Sequence, residues 1–260
     1  MNLTTDEQQH APATSADPWH ALRVHTPARI ALGRSGASLP TRELLAFGIA
    51  HAQARDAVHA SLDIAALRAD LATFGLPIVE VRSAAANRAA YLARPDWGRR
   101  LDAASAAALK PMTPPPDLLL VIADGLSATA AQRHALALLR ETLPRLQGLQ
   151  IGPLVIATQA RVALSDAVAI ALGARLVVSL IGERPGLSAP DSLGAYITWA
   201  PQPGTTDAER NCLSNIRPEG LGYDAAATQL AALIRASLAA GVSGVALRFG
   251  DATALQLPIS

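Results

Sequence analysis

The stretch Leu118-Leu119-Leu120-Val121-Ile122-Ala123-Asp124-Gly125-Leu126-Ser127 decides the fold. Six apolar residues in a row, too few for a buried helix and rich in branched side chains, read as a strand covered on both faces. Asp124-Gly125 then turns the chain, and Ser127 is placed to cap a helix over Ala128–Leu143, which Pro144 ends. The same alternation repeats downstream. Leu154–Thr158 reads as a second strand, a helix capped by Ser165 or Asp166 runs to Gly173, and Leu176–Ile181 is a third strand. Strand and helix in alternation predict an α/β, Rossmann-like, mostly parallel sheet with right-handed crossovers and flanking helices. Leu193–Trp199 is expected as a fourth strand, Pro201–Gly222 as loop, Tyr223–Ala240 as a helix closed by Gly241, and Val245–Leu247 as an edge strand.

Working back from Leu118, Pro111–Pro116 holds four prolines in six residues and rules out continuous helix. It sets the expected boundary between a largely helical N-terminal extension, residues 18–116, and an α/β domain, residues 117–260. Within the extension, Arg29–Leu32 suggests a short strand or docking segment. Ser38 is a candidate N-cap for a long Ala-rich helical run, Thr41–Phe74, with Asp63 marking a break or a fresh start. Ile78–Val81 reads as a further short strand, and Asn87–Asp102 as mixed and partly helical. Residues 1–17 are polar and read as a loose tail without the apolar centre of a secretory signal.

The composition excludes several functions. The net charge is +1, with both signs interspersed, which argues against a nucleic-acid surface. No apolar run is long enough to cross a bilayer, and the single thiol, Cys212, excludes an internal disulfide. A cytoplasmic protein is expected. His51 and His59, eight residues apart on one helix, are separated by about 12 Å along its axis, too far to share a metal ion. No metal site and no catalytic residue is assigned. No G-x-G-x-x-G follows the first strand of the sheet, and neither a phosphate loop nor G-x-S-x-G is present.

Ligands of open parallel sheets collect outside the carboxyl ends of the strands. Parallel strands would bring three loops, Asp124–Ser127, Gln159–Leu164 and Glu183–Asp191, to that edge, with Asp124, Arg161, Val162, Glu183, Arg184 and Ser188. Asp124 taken alone is more often a turn or capping residue than an acid, Arg184-Pro185-Gly186 fits a plain turn, and Cys212 fits a small packed side chain.

Five segments resemble the small subunit of ethanolamine ammonia-lyase in order and approximate spacing, over roughly residues 18–248. They are Arg29–Gly36, Leu45–His59, Val121–Ala128, Gly182-Glu183-Arg184-Pro185-Gly186-Leu187 and Cys212-Leu213-Ser214-Asn215-Ile216. The resemblance implies a hetero-oligomer with a large barrel subunit that carries the substrate pocket. It implies conversion of ethanolamine to acetaldehyde and ammonia, with adenosylcobalamin (coenzyme B12) held between the subunits and, in many bacteria, a microcompartment as the site of ethanolamine degradation. It assigns cobalamin contacts to Val162, Glu183 and Cys212, the last in the loop after the fourth strand. The Asp-x-His-x-x-Gly motif, which supplies a cobalt-binding histidine in another cobalamin family, is absent. That fits a cofactor keeping its own base, and equally a protein without cobalamin. Two other readings stand beside this one. The first is a self-contained Rossmann-like nucleotide-cofactor enzyme with Asp124 and Glu183 as acids. The second is a non-catalytic assembly subunit that packs through Thr41–Phe74.

Overall fold

A computed structural model describes residues 17–247; the reading of residues 1–16 as a tail lies outside the described residues. Six strands form one sheet in the order β1-β3-β2-β4-β5-β6. They are β1 (Ile78–Arg82), β2 (Leu118–Ala123), β3 (Ile151–Thr158), β4 (Leu176–Gly182), β5 (Leu193–Trp199) and β6 (Arg210–Ile216). The pairings β1–β3, β3–β2 and β2–β4 are parallel. β4–β5 and β5–β6 are antiparallel, so the expectation of a mostly parallel sheet holds for three of the five pairings and fails for the last two strands. The reason lies in the connection: no helix separates β4 from β5, and a parallel return needs a crossover of a dozen or more residues.

The centre is β2, buried at every position. Period-two alternation sends its side chains to opposite faces. Leu118, Leu120 and Ile122 join a core with Leu138 and Leu139 of α5 (Ala128–Thr142) and Leu230 and Ile234 of α7 (Tyr223–Ala240). Leu119, Val121 and Ala123 join a second core with Leu164, Val168 and Leu172 of α6 (Val162–Leu172). Each fully buried Leu or Ile is worth about 1.5–3 kcal/mol, so both faces hold the sheet.

The crossovers fix where a ligand could sit. The chain leaves β2 through α5 to β3 on one side, then returns through α6 to β4 on the other side of β2. Loops from the carboxyl ends of β2 and β4 therefore part in opposite directions and leave a crevice between them.

The sheet is continuous across the proline stretch, because β1 is its edge strand. The long helical run is two helices, α1 (Thr41–His59) and α2 (Ile64–Ala72), with Asp63 capping α2 through the Ala66 N–H at 3.0 Å. Leu67 and Leu71 of α2 enter the main core, whereas α1 buries only Ala50 and Ala57. The mixed segment Asn87–Asp102 gives the short helix α3 (Arg88–Ala93) and a 3₁₀ turn at Trp97–Arg99, and Asp102 then caps α4 (Ala103–Ala108), which follows it.

Several local expectations are corrected. Pro40, not Ser38, precedes α1, and Ser38 instead bridges Ser35 in a tight loop. Arg29–Leu32 forms no strand; it is a docking segment, with the Arg29 guanidinium donating to the Leu187 carbonyl at 3.3 Å. Helix α6 begins at Val162, so Ser165 and Asp166 lie inside it, buried, and cap nothing. Residues 244–246 form a turn of 3₁₀ helix rather than a strand. Pro201–Gly222 contains β6, whose outward positions are polar because it is an edge strand.

Candidate functional site

Two glycines let the crevice close at its base. Gly125 has φ +56°, and a Cβ there would collide with the Gly182 carbonyl oxygen. A Cβ at Gly182 would meet the Ser127 carbonyl oxygen. This close approach allows the Leu126 N–H to donate to the Gly182 carbonyl at 2.9 Å, tying the β2 and β4 loops together.

Asp124 ends β2 and is only 3% exposed. Its two carboxylate oxygens accept from the backbone N–H groups of Gln159 (2.8 Å) and Ala160 (3.0 Å). It thus pins the turn between β3 and α6, where Gln159 adopts φ +53°. Burial pushes the Asp124 carboxyl above the usual carboxylate range, against those two donors and the nearby Arg88 charge. With both oxygens engaged inward, Asp124 is a turn-holding residue, as the plainer reading of the sequence has it.

A cleft of roughly 280 Å³ opens above this base. Its walls include Tyr91, Leu126, Arg161, Val162, Glu183, Arg184 and Tyr196. Val162, the first residue of α6, and Glu183, the first residue after β4, thus line one space. Arg184 is also on the wall; Ser188 is not.

Glu183 is held firmly. Its Oε2 accepts from the Ser192 hydroxyl and, at 3.3 Å, from the Asn215 N–H, leaving Oε1 as the less committed oxygen. Gly194 makes room for it: a Cβ there would come within 2.9 Å of Oε1. The loop that carries Glu183 is closed by its own N–H donating to the Ser192 carbonyl at 2.9 Å.

Cys212 lies on β6, not in a loop, and faces Tyr196 across the β5–β6 pair. Tyr196 lines the cleft and Cys212 stands one strand further out, an exposed residue. Its sulfur is nonetheless partly desolvated, which raises the thiol pKa; Tyr196 opposes this shift and the Glu183 charge adds to it. The Tyr196 hydroxyl is raised in turn by desolvation and by Cys212.

Tyr91, on the cleft wall, and its neighbour Arg88 carry no sequence signal beyond a mixed helical segment. Tyr91 is fully buried and donates to the Ala160 carbonyl at 3.1 Å. The guanidinium carbons of Arg88 and Arg161 lie 4.7 and 4.3 Å from its ring centroid. Desolvation pushes the phenol up to about 12. Arg88 also donates to the carbonyls of Val58 (2.6 Å) and Gly125 (2.8 Å), linking the end of α1 to the crevice base. Burial lowers its guanidinium pKa, with the Asp124 charge opposing.

Among the described residues, no group of three or more His, Cys, Asp and Glu side chains could hold a metal ion. No described helix is long and apolar enough to cross a membrane.

Comparison with known proteins gives this geometry its context. The family described as "Ethanolamine ammonia-lyase light chain (EutC)" matches residues 16–248. A protein of Bradyrhizobium diazoefficiens named "Ethanolamine ammonia-lyase small subunit" is 57% identical over 241 residues, 91% of this chain and 92% of its own. Proteins of the same name from Ralstonia nicotianae (55% identical, 94% of this chain, 93% of theirs) and Azotobacter vinelandii (54%, 92% and 90%) are similar over comparable lengths. A chain that matches this family from residue 16 to residue 248, and its members at more than half of the aligned positions, belongs to the ethanolamine ammonia-lyase light-chain family.

Proposed function

We propose that this chain is the small subunit of an adenosylcobalamin-dependent ethanolamine ammonia-lyase, and that Val162, Glu183 and Cys212 contact the corrinoid where it meets a large barrel subunit. The observation that carries this reading is that Val162, at the start of the β3–β4 crossover, and Glu183, just past the end of β4, line one cleft at the point where the sheet's connections part.

The residues suit the edge of a corrin ring. Val162, Leu126 and Tyr196 offer apolar contact, while Oε1 of Glu183 and the Arg184 guanidinium offer an acceptor and a donor to peripheral amides. Cys212 would meet the periphery from the outer strand beside Tyr196. The cleft, at roughly 280 Å³, is smaller than most drug-sized ligands need. Such a cleft would cover one side of a cobalamin, with a second protein supplying the other wall. Adenosylcobalamin held here would supply radical chemistry, and this chain's residues, Val162, Glu183 and Cys212, would position and shield it. No described side chain in the cleft pairs a nucleophile with a base, which fits a reaction centre on the partner subunit.

The N-terminal surface supports the partner. Leu44, Leu45, Phe47 and Ile49 of α1 are exposed together with Trp19, Leu22 and Val24, an apolar area of the kind that partners cover. A microcompartment belongs to the same proposal.

Co-expression with the large subunit tests the reading. The complex should retain cobalamin by absorbance and deaminate ethanolamine, the purified small subunit alone should do neither, and Glu183→Ala should weaken cobalamin retention by the complex. Full turnover by the isolated chain would contradict the division of labour. Unchanged retention by Glu183→Ala would remove that residue from the site.

A further inference from the structure

A second and larger cleft, of roughly 730 Å³, adjoins the first, and Arg161 and Val162 line both. Its wall also carries Arg99, Arg100 and Arg210, with the carboxylates of Asp166 and Asp207 both set against Arg210. Two of these arginines are committed. Arg210 is buried in a two-bond pair with Asp166 at 2.6 and 2.7 Å, and Arg100 lies 3.6 Å from Asp96. Arg161 and Arg99 have no carboxylate partner among the described residues.

Arg161 is nonetheless built in. Its guanidinium stacks on Tyr91, and its stem fills the space opposite Gly98, where a Cβ would come within 2.9 Å of its Cγ. The backbone is fixed as well, by the Arg161 N–H donating to the Gly98 carbonyl at 2.8 Å. Yet the five guanidinium donors make only one hydrogen bond, from Nη2 to the Tyr91 carbonyl at 3.5 Å, the outer limit for such a bond. A rigidly held, unpaired arginine at the junction of two clefts is suited to an anion with paired oxygens.

We infer that Arg161, aided by Arg99, binds the phosphodiester of the nucleotide tail of the corrinoid, with the tail running from the Glu183 cleft into the larger arginine-lined one. This rests on the cofactor reading above and adds a residue and a direction to it. The phosphodiester is the one anionic group of a cobalamin, so it is the part of that ligand to which a free arginine responds most strongly. Arg161 acts here as a positioning residue for the tail rather than as a participant in the reaction.

The test compares two corrinoids on the co-expressed complex: cyanocobalamin, which has the nucleotide tail, and dicyanocobinamide, which lacks it. Binding is followed by equilibrium dialysis and absorbance. Arg161→Ala should weaken cyanocobalamin binding at least tenfold and leave dicyanocobinamide within twofold of the unsubstituted complex. Arg161→Lys should recover part of the loss, and Arg99→Ala, a change at an exposed side chain, should weaken cyanocobalamin alone to a smaller extent. In the unsubstituted complex, raising salt should weaken cyanocobalamin more than dicyanocobinamide, a readout that needs no variant to fold. Equal losses for both corrinoids, or salt dependence that does not differ between them, would overturn the phosphate assignment and leave the cofactor reading intact. An unsubstituted complex that binds neither corrinoid would overturn both.

Discussion

Single residues in this protein show how burial assigns roles that residue type leaves open. Asp166 reads as a helix cap, yet it lies inside α6 and pairs with Arg210, which also donates to the Thr198 hydroxyl at 2.8 Å and the Thr205 carbonyl at 3.1 Å. The pair ties the 200–210 loop to α6, and removing one partner strands a buried charge. Asp166→Ala should therefore destabilise the fold by about 3–5 kcal/mol in urea unfolding, far more than an exposed ion pair is worth. His134 gives a pH dependence. It is 5% exposed, its Nδ1 lies 2.8 Å from the Tyr223 hydroxyl, and its Nε2 lies 3.5 Å from Asp191, at the end of the Glu183 loop. Burial lowers its pKa below the ordinary 6.5, with Asp191 opposing and Arg133 reinforcing the shift. The unfolded chain thus binds this proton more readily than the folded one. The contribution of His134 is present above pH 6.5 and is lost as pH falls through the lowered folded value. Thermal unfolding between pH 7.5 and 5 should show Tm falling more steeply for the parent than for His134→Gln. Parallel curves would show that His134 does not contribute.

At the scale of elements, what the sequence made legible follows from how each strand is buried. Strands β2 and β4 announce themselves because both faces are covered and every position is apolar except the buried Ser179 of β4. Strand β6 does not, because Ser214 and Asn215 occupy exposed positions of an edge strand, Asn211 is engaged by the Gly244 backbone, and prolines flank the strand on either side. The antiparallel return into β5 is missed, because its one mark in the sequence, the absence of a helix between Gly182 and Leu193, is weaker than an apolar run. Among candidate site residues, Val162 and Glu183 follow from strand ends alone. Tyr91 and Arg88 do not, since α3 is six residues long and these two side chains bind residues far along the chain, Val58, Gly125 and Ala160. Arg88 joins three elements: it binds the Val58 carbonyl at the end of α1, the Gly125 carbonyl, and the Tyr91 ring. A cation there also suits the negative end of the α1 dipole. Arg88→Met should release α1, seen as amide exchange at least tenfold faster across Thr41–His59 with β2 and β4 unchanged. Gly125→Ala should act at the crevice itself: its positive φ and the clash with the Gly182 carbonyl together cost more than the ~1 kcal/mol of an ordinary glycine replacement.

Over the described residues, apolar burial is uneven, and the imbalance singles out the surface that the proposed partner would cover. The six-stranded sheet is covered on both faces by its own helices, while α1, nineteen residues long, buries two alanines. Leu44, Leu45 and Ile49 are 58%, 62% and 61% exposed, so they contribute little to the stability of this chain by themselves. An isolated subunit with such a surface should self-associate as its concentration rises, and a partner subunit covering α1 should suppress this. The two roles of α1 can be separated because its exposed side chains are not core. Changing Leu45 and Ile49 together to Glu should shift the unfolding free energy of the isolated chain by no more than ~1 kcal/mol, as expected for two surface positions. It should also keep the chain monomeric in sedimentation and abolish co-purification with the large subunit. Loss of folding in the variant would mean that α1 is part of the chain's own core. Undiminished co-purification would place the partner contact elsewhere on the molecule.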